Sequence, residues 1–88
     1  MELKDTVKLM ESKDYKERFQ CEYFQVKIRL EKLQEMLKKY KMGTLPFKPT
    51  TSYELLFGQA ETMKAYKEIL EKRAEIEDVD LTEVKKND

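Results

Sequence analysis

The sequence predicts an all-α protein: a long antiparallel α-hairpin with a short N-terminal helix, which assembles into an oligomeric helical bundle. The chain has two glycines and two prolines. Three of these four residues fall in the stretch MGTLPFKPTTS, which therefore marks a turn. On both sides of it, apolar residues recur every three or four positions, the spacing of a helix face. The two long helices carry more apolar surface than a hairpin alone can bury, and this predicts self-association.

Residues 3–11 form the first predicted element. Leu3, Val7 and Met10 are spaced as on one face of a helix. We therefore expect a short amphipathic helix that packs across the hairpin.

The first long helix is predicted over residues 13–42. It begins near Asp14, which together with Glu17 fits a capping box. It ends at Gly43, the residue type that most often terminates a helix in the left-handed conformation. Its apolar seam consists of residues at helical spacing: Tyr15, Phe19, Tyr23, Val26, Leu30, Leu33, Leu37 and Tyr40.

The turn is predicted over residues 43–51 and the second long helix over residues 52–77. Thr51 and Glu54 fit a second capping box at its start. Its apolar residues form two stripes, the first made of Leu56, Ala60, Met63, Leu70 and Ala74 and the second of Leu55, Tyr66, Ile69 and Ile76. Residues 1–77 thus form one helical domain. Residues 78–88 are expected to be a polar, flexible tail, in which Val79 and Leu81 could dock.

The first long helix has a second apolar surface besides its seam. Cys21, Phe24 and Ile28 project nearly opposite to the seam at 100° per residue. These side chains either meet the N-terminal helix or belong to an interface with another chain. Because both long helices are broadly apolar, the sequence favours a dimer or a tetramer of this chain.

Composition excludes several classes of function. Charged residues make up 41% of the chain and balance at 18 of each sign, which argues against a nucleic-acid binder. There is no histidine and only one cysteine, so we expect no metal site, no cofactor and no catalytic residues. No apolar run approaches the roughly 18 residues of a membrane span, and we expect no membrane partner.

A row of polar residues runs along the first long helix beside its seam. Its members are three or four positions apart and so lie on one line of the helix surface: Arg18, Glu22, Gln25 and Arg29. In a hairpin that turns at residues 43–51, position 22 falls opposite roughly position 72. This register predicts a structural salt bridge between Glu22 and Arg73.

The residues alone leave two interpretations of this row open. In the structural interpretation, the salt bridge fixes the register of the hairpin. In the functional one, Arg18, Gln25 and Arg29 bind a ligand beside Tyr15 and Tyr23, since arginine forks suit phosphate oxygens and tyrosine rings suit a base or a ribose. Thr51 adds a candidate ligand contact, because the start of a helix favours negative charge.

The stretch DYKERFQCEYFQVKIRLEKL, residues 14–33, resembles a family of small non-virion proteins of crAss-like and other tailed bacteriophages, and of prophages of gut Firmicutes. The likeness continues through GTLPFKPT to RAEIE and covers about residues 1–81. Two positions depart from the family pattern. Cys21 stands where a small residue such as alanine is expected, and Thr51-Ser52 stands where family members often carry Cys-Pro.

The resemblance implies a protein of immune evasion in the cytoplasm of a bacterial host. It favours a homo-oligomeric sponge that binds and sequesters cyclic nucleotide immune signals, such as a cyclic dinucleotide, without cleaving them. The alternative is a helical inhibitor or adaptor that binds a host defence protein through the face of Phe24 and Ile28.

Overall fold

The computed structural model describes residues 1–83. A 3₁₀ helix, Leu3–Thr6, leads directly into the short helix α1, Val7–Met10. Two long helices follow, α2 at Tyr15–Met42 and α3 at Tyr53–Glu77, and they pack against each other as a hairpin. The predicted fold class, all-α with a short N-terminal helix and a long hairpin, is confirmed.

Helix α2 begins and ends at residues whose chemistry suits those places. The Asp14 carboxylate accepts a hydrogen bond from the Lys16 amide at 3.0 Å, which satisfies one of the free donors of the first turn. Glu17 does not complete the predicted capping box; it accepts instead from the Ser12 hydroxyl at 2.6 Å. Gly43 ends the helix with φ 73°, a conformation that costs glycine little.

Helix α3 is capped one residue later than the sequence predicted. The Ser52 hydroxyl accepts a hydrogen bond from the Leu55 amide at 3.2 Å, so Ser52 is the N-cap. The capping box of Thr51 and Glu54 is therefore wrong. Adjacent hydroxyl residues suit this role equally well, and the course of the turn decides between them.

Two apolar clusters hold α2 and α3 together. Near the open end of the hairpin, a core forms around Phe19, Tyr23 and Leu70. Nearer the turn, Leu37 packs with Ala60. Both clusters draw on the predicted seam of α2, so each helix turns its most regular apolar face to the other.

The opposite side of α2 is covered by two end segments, residues 3–10 before it and residues 78–83 after α3. Among the described residues, the N-terminal segment Leu3–Met10 contacts α2 and not α3, so it does not lie across the hairpin as predicted. Cys21, Phe24 and Ile28 are all buried, and Phe24, only 1% exposed, shares a core cluster with Val79 and Leu9. The face that the inhibitor alternative required is therefore not available to a partner.

The segment that follows α3 is packed rather than free over its described part. Val79 is buried and belongs to the same core cluster as Phe24, and Leu81 packs against that cluster. The backbone oxygen of Asp80 accepts a hydrogen bond from Gln20 Nε2 at 2.7 Å. The expected flexible tail is thus corrected for residues 78–83, and residues 84–88 lie outside the described part.

Helix α2 is consequently the middle layer, with the end segments on one side and α3 on the other. The outer side of α3 stays uncovered. Its second stripe is 40% to 84% exposed and consists of Leu55, Tyr66, Ile69 and Ile76. No described helix is both long and apolar enough to cross a membrane.

Candidate ligand-binding groove

A groove of about 410 Å³ follows α2 between the N-terminal segment and α3. All four members of the predicted polar row line it: Arg18, Glu22, Gln25 and Arg29. Cys21 and Val26 add apolar surface from α2, Met10 stands on the α1 side and Tyr66 on the α3 side. The structure thus brings the row together in a recess.

The row forms the floor of this groove because both neighbouring sides of α2 are covered. The seam is turned to α3 and the Phe24 side to the end segments, which leaves one strip of the helix surface between two walls. With a rise of 1.5 Å per residue, Arg18 and Arg29 stand roughly 16 Å apart along the helix. Glu22 lies between them, about 6 Å from Arg18 and about 10 Å from Arg29 along the axis.

Two floor residues are held in place by the segment before α2. Arg18 Nη1 donates to the backbone oxygen of Ser12 at 2.8 Å. Gln25 Nε2 donates to the Thr6 hydroxyl at 3.0 Å, and that hydroxyl donates in turn to the backbone oxygen of Leu3 at 2.7 Å. Thr6 is fully buried, so Gln25 is fixed against a rigid neighbour.

The other two floor residues are free to meet a ligand. Within residues 1–83, the side chains of Glu22 and Arg29 have no hydrogen bond and no ion pair, and both are exposed. An unpaired guanidinium keeps its planar set of donors available for phosphate or carboxylate oxygens. An unpaired carboxylate offers only acceptors.

The predicted salt bridge between Glu22 and Arg73 is not formed. Arg73 Nε donates to Glu77 at 2.9 Å, one turn along its own helix, and its guanidinium stands 4.9 Å from the centre of the Phe19 ring. Glu22 is directed into the groove instead. The two residues lie near each other in register but face in different directions around their helices.

Tyr23 does not line the groove as predicted; its hydrogen bond to Glu71 joins the two long helices. The Tyr23 hydroxyl donates to the Glu71 carboxylate at 2.7 Å, in the register that the sequence predicted. Burial and this carboxylate raise the pKa of Tyr23 well above its ordinary value. The hydrogen bond from Tyr23, followed by the charge of Lys67, lowers the pKa of Glu71 against an opposing effect of burial. Sequence reasoning missed this pair because Tyr23 belongs to the apolar seam.

Two other predicted ligand residues do not line the groove. Tyr15 is the first residue of α2 and is half exposed, but it is not part of the lining. Thr51 precedes α3 at the turn, and Tyr66 lies roughly 20 Å further along that helix. Tyr66 and Met10 are the wall residues that sequence reasoning did not assign to the site.

A second recess of about 440 Å³ lies at the turn, lined mainly by apolar groups that include Tyr40, Leu45 and Phe47. Its one charged residue is Lys48, so it offers less polar chemistry than the groove on α2. Over residues 1–83, no group of acidic, cysteine or histidine side chains is arranged to hold a metal ion.

A comparison with protein families matches the chain to the family described as Sequestin over residues 13–76. The matched region contains all of α2, the turn and nearly all of α3, and with them every residue of the groove except Met10. No curated protein and no solved structure matches the chain.

Proposed function

The chain belongs to the Sequestin family of sequestering, non-catalytic proteins, and on that premise we propose that it is a phage-encoded immune-evasion protein. In this proposal the protein is a homo-oligomeric sponge. It binds a cyclic nucleotide immune signal in the groove on α2 and withholds it from its receptor without cleaving it.

The observation that carries the proposal is the meeting of two arginines, a carboxylate and an amide in one recess with a tyrosine wall. Its volume of about 410 Å³ falls in the range of small-molecule sites. Arg18 and Arg29 suit phosphate oxygens, and the Tyr66 ring offers a face on which a base can stack. A cyclic nucleotide carries both phosphates and bases.

Sequestration without cleavage agrees with the chemistry of the groove. Glu22 is its one carboxylate, and neither a histidine nor a second carboxylate stands beside it among the lining residues. Cys21 is buried on the floor and has no histidine partner, since the chain contains none. The lining therefore lacks a nucleophile paired with a base.

The oligomeric part of the proposal rests on the exposed stripe of α3. From their exposed fractions, its four apolar side chains together offer roughly 500 Å² per chain, or about 1,000 Å² for two copies, near the lower limit of a specific interface. Three positions on this side of α3 are small or short and permit close approach of a second helix: Gly58, Thr62 and Ala65.

The stripe is also nearly symmetric about its own midpoint. With two copies of α3 antiparallel, Leu55 faces Ile76 of the second copy and Thr62 faces its Ile69. The midpoint then falls between Ala65 and Tyr66, and Tyr66 also forms a wall of the groove. A second copy on the stripe would lie beside the mouth of the groove and slow the escape of a ligand.

Calorimetry tests the binding part of the proposal. The panel consists of cyclic dinucleotides, a cyclic trinucleotide and isomers of cyclic ADP-ribose, and we expect at least one member to bind and to be recovered intact by mass spectrometry. Arg29→Gln should weaken that binding at least ten-fold. The matched control is Lys38→Gln, which removes one exposed positive charge from the far side of α2. Absence of binding by every member would remove the proposal.

Sedimentation tests the oligomeric part. We expect the wild-type chain to be a dimer or larger at micromolar concentration and Ile69→Asp to be a folded monomer. Met42→Asp places the same charge at an exposed apolar residue outside the stripe and should leave the oligomer intact. A wild-type monomer would refute this part and would leave the stripe as a surface for a host defence protein.

A further inference from the structure

Glu22 places a negative charge in a groove that is proposed to bind an anion. Its carboxylate stands on the floor between Arg18 and Arg29, exposed and without a side-chain partner among residues 1–83. A phosphate placed over it would be repelled, since like charges at close range oppose each other even near the surface. The floor therefore alternates in sign along its length, positive at the ends and negative within.

We propose that Glu22 selects the ligand by accepting hydrogen bonds from two adjacent N–H or O–H donors, while the arginines hold its phosphates. This inference rests on the proposed function and specifies which chemical groups of the ligand the same groove recognises. The ligand must then present phosphate oxygens and a donor pair about 6 to 10 Å apart, the axial distances from Glu22 to the two arginines.

Two groups found in cyclic nucleotides supply such a donor pair. The Watson–Crick edge of guanine presents its ring N–H and its amino group side by side. The cis-diol of a ribose presents two hydroxyls at a similar spacing. Either can meet both oxygens of one carboxylate, as a bidentate charge-assisted pair. An adenine offers only its single amino group, so it satisfies one carboxylate oxygen at most.

Gln25 strengthens this assignment. One N–H of its amide is committed to Thr6, which fixes the amide and leaves its carbonyl oxygen free to accept from a ligand. Glu22 and Gln25 are three residues apart and share one side of the helix. The middle of the floor therefore presents the acceptor oxygens of Glu22 and Gln25, whereas both ends present the donors of arginines.

Glu22 could instead do no more than offset the positive charge of the two arginines in the empty groove. The two roles give opposite results when the carboxylate becomes an amide. If Glu22 only offsets charge, Glu22→Gln tightens the binding of every anion. If Glu22 accepts from a donor pair, Glu22→Gln weakens the binding of the selected ligand and tightens the binding of a probe that consists of phosphate only.

The experiment measures binding of four probes to wild type and to Glu22→Gln. Cyclic di-GMP has the guanine edge and no diol, cyclic ADP-ribose has diols and no guanine, cyclic di-AMP has neither, and pyrophosphate has phosphate alone. Whichever panel member binds the wild type most tightly, we expect it to carry a donor pair and to bind at least ten-fold better than cyclic di-AMP. Glu22→Gln should weaken the binding of that panel member about ten-fold and should strengthen the binding of pyrophosphate.

Glu35→Gln is the control, since it changes an exposed carboxylate on another side of α2 outside the groove. The inference is overturned if Glu22→Gln binds the tightest ligand as well as or better than the wild type does, or if cyclic di-AMP is that ligand. In those cases the proposed function stands. If the wild type binds no cyclic nucleotide at all, the proposed function fails and this inference fails with it.

Discussion

Removing the Tyr23 hydroxyl should destabilise the hairpin, because it deletes the hydrogen bond to Glu71 that joins its two long helices. Tyr23 is buried and its hydroxyl lies 2.7 Å from the Glu71 carboxylate. Tyr23→Phe keeps the ring and its edge-to-face contact with Phe24 while deleting one hydrogen bond. The substitution therefore opens no cavity in the core, and the loss reports on the hydrogen bond itself.

The expected loss in the free energy of unfolding is about 1–1.5 kcal/mol. A hydrogen bond to a charged group contributes roughly 1.5–3 kcal/mol. Here the loss should fall at or just below the lower end of that range, because the Glu71 side chain is 42% exposed and regains water when the hydroxyl is gone. For a domain of this size the melting temperature should fall by roughly 5–10 °C, measured at one fixed protein concentration because association shifts it.

The difference in stability between wild type and Tyr23→Phe should decrease at both alkaline and acidic pH. The pKa of Tyr23 is raised in the folded chain, so its contribution is complete below the unfolded value of 10.0 and declines as the pH rises above it. The pKa of Glu71 is lowered, so its contribution is complete above the unfolded value of 4.5 and declines as the pH falls below it. The difference should form a plateau between these limits.

The matched control is Tyr15→Phe. Tyr15 is half exposed, and within residues 1–83 its hydroxyl has no hydrogen bond. Urea unfolding of the wild type and both variants should place Tyr15→Phe within about 0.5 kcal/mol of the wild type. The reasoning is refuted if the two variants lose equal stability, or if the loss in Tyr23→Phe is the same at pH 7 and above pH 10.

Two further predictions concern the segment after α3 and the outer side of α3. Val79→Asp should destabilise the chain by about 3 kcal/mol in urea unfolding, because it buries an unpaired carboxylate in the core cluster of Phe24; Thr82→Asp, at an exposed site nearby, should cost less than about 0.5 kcal/mol, and equal losses would contradict docking of this segment. In the monomeric Ile69→Asp background, Gly58→Ala should raise the melting temperature, since an added Cβ meets nothing within 4 Å in one chain and alanine favours a helix interior by about 1 kcal/mol. A lower melting temperature there would contradict the open space around this position within the chain.

The extent of the long helices could be predicted because their signal is repeated many times. The seam of α2 recurs over seven turns, and one ambiguous residue does not change its period. The start of α3 depends on a single cap, and Thr51 and Ser52 satisfy the same rule. A boundary that rests on one hydrogen bond is therefore less predictable than a helix that rests on many contacts.

The partner of Glu22 could not be predicted for a different reason. The turn fixes which residues stand opposite along the hairpin, and the contact of Tyr23 with Glu71 has the expected register. Facing residues must also agree in direction around each helix axis. Adjacent positions differ by 100°, so the step from Glu22 to Tyr23 separates the groove from the core. The orientation of α2 between its two neighbours sets that angle, and local spacing carries no information about it.

The groove itself is a consequence of covering one helix on two sides. A polar row on a free helix would be a solvated face, but here the end segment and α3 rise on either side of it. The region that matches the Sequestin family supplies the floor and the Tyr66 wall. Met10, Ser12 and Thr6, which form the other wall and position Arg18 and Gln25, all precede residue 13. Changes in those first residues can therefore redirect the side chains of Arg18 and Gln25 while the hairpin beneath them stays the same.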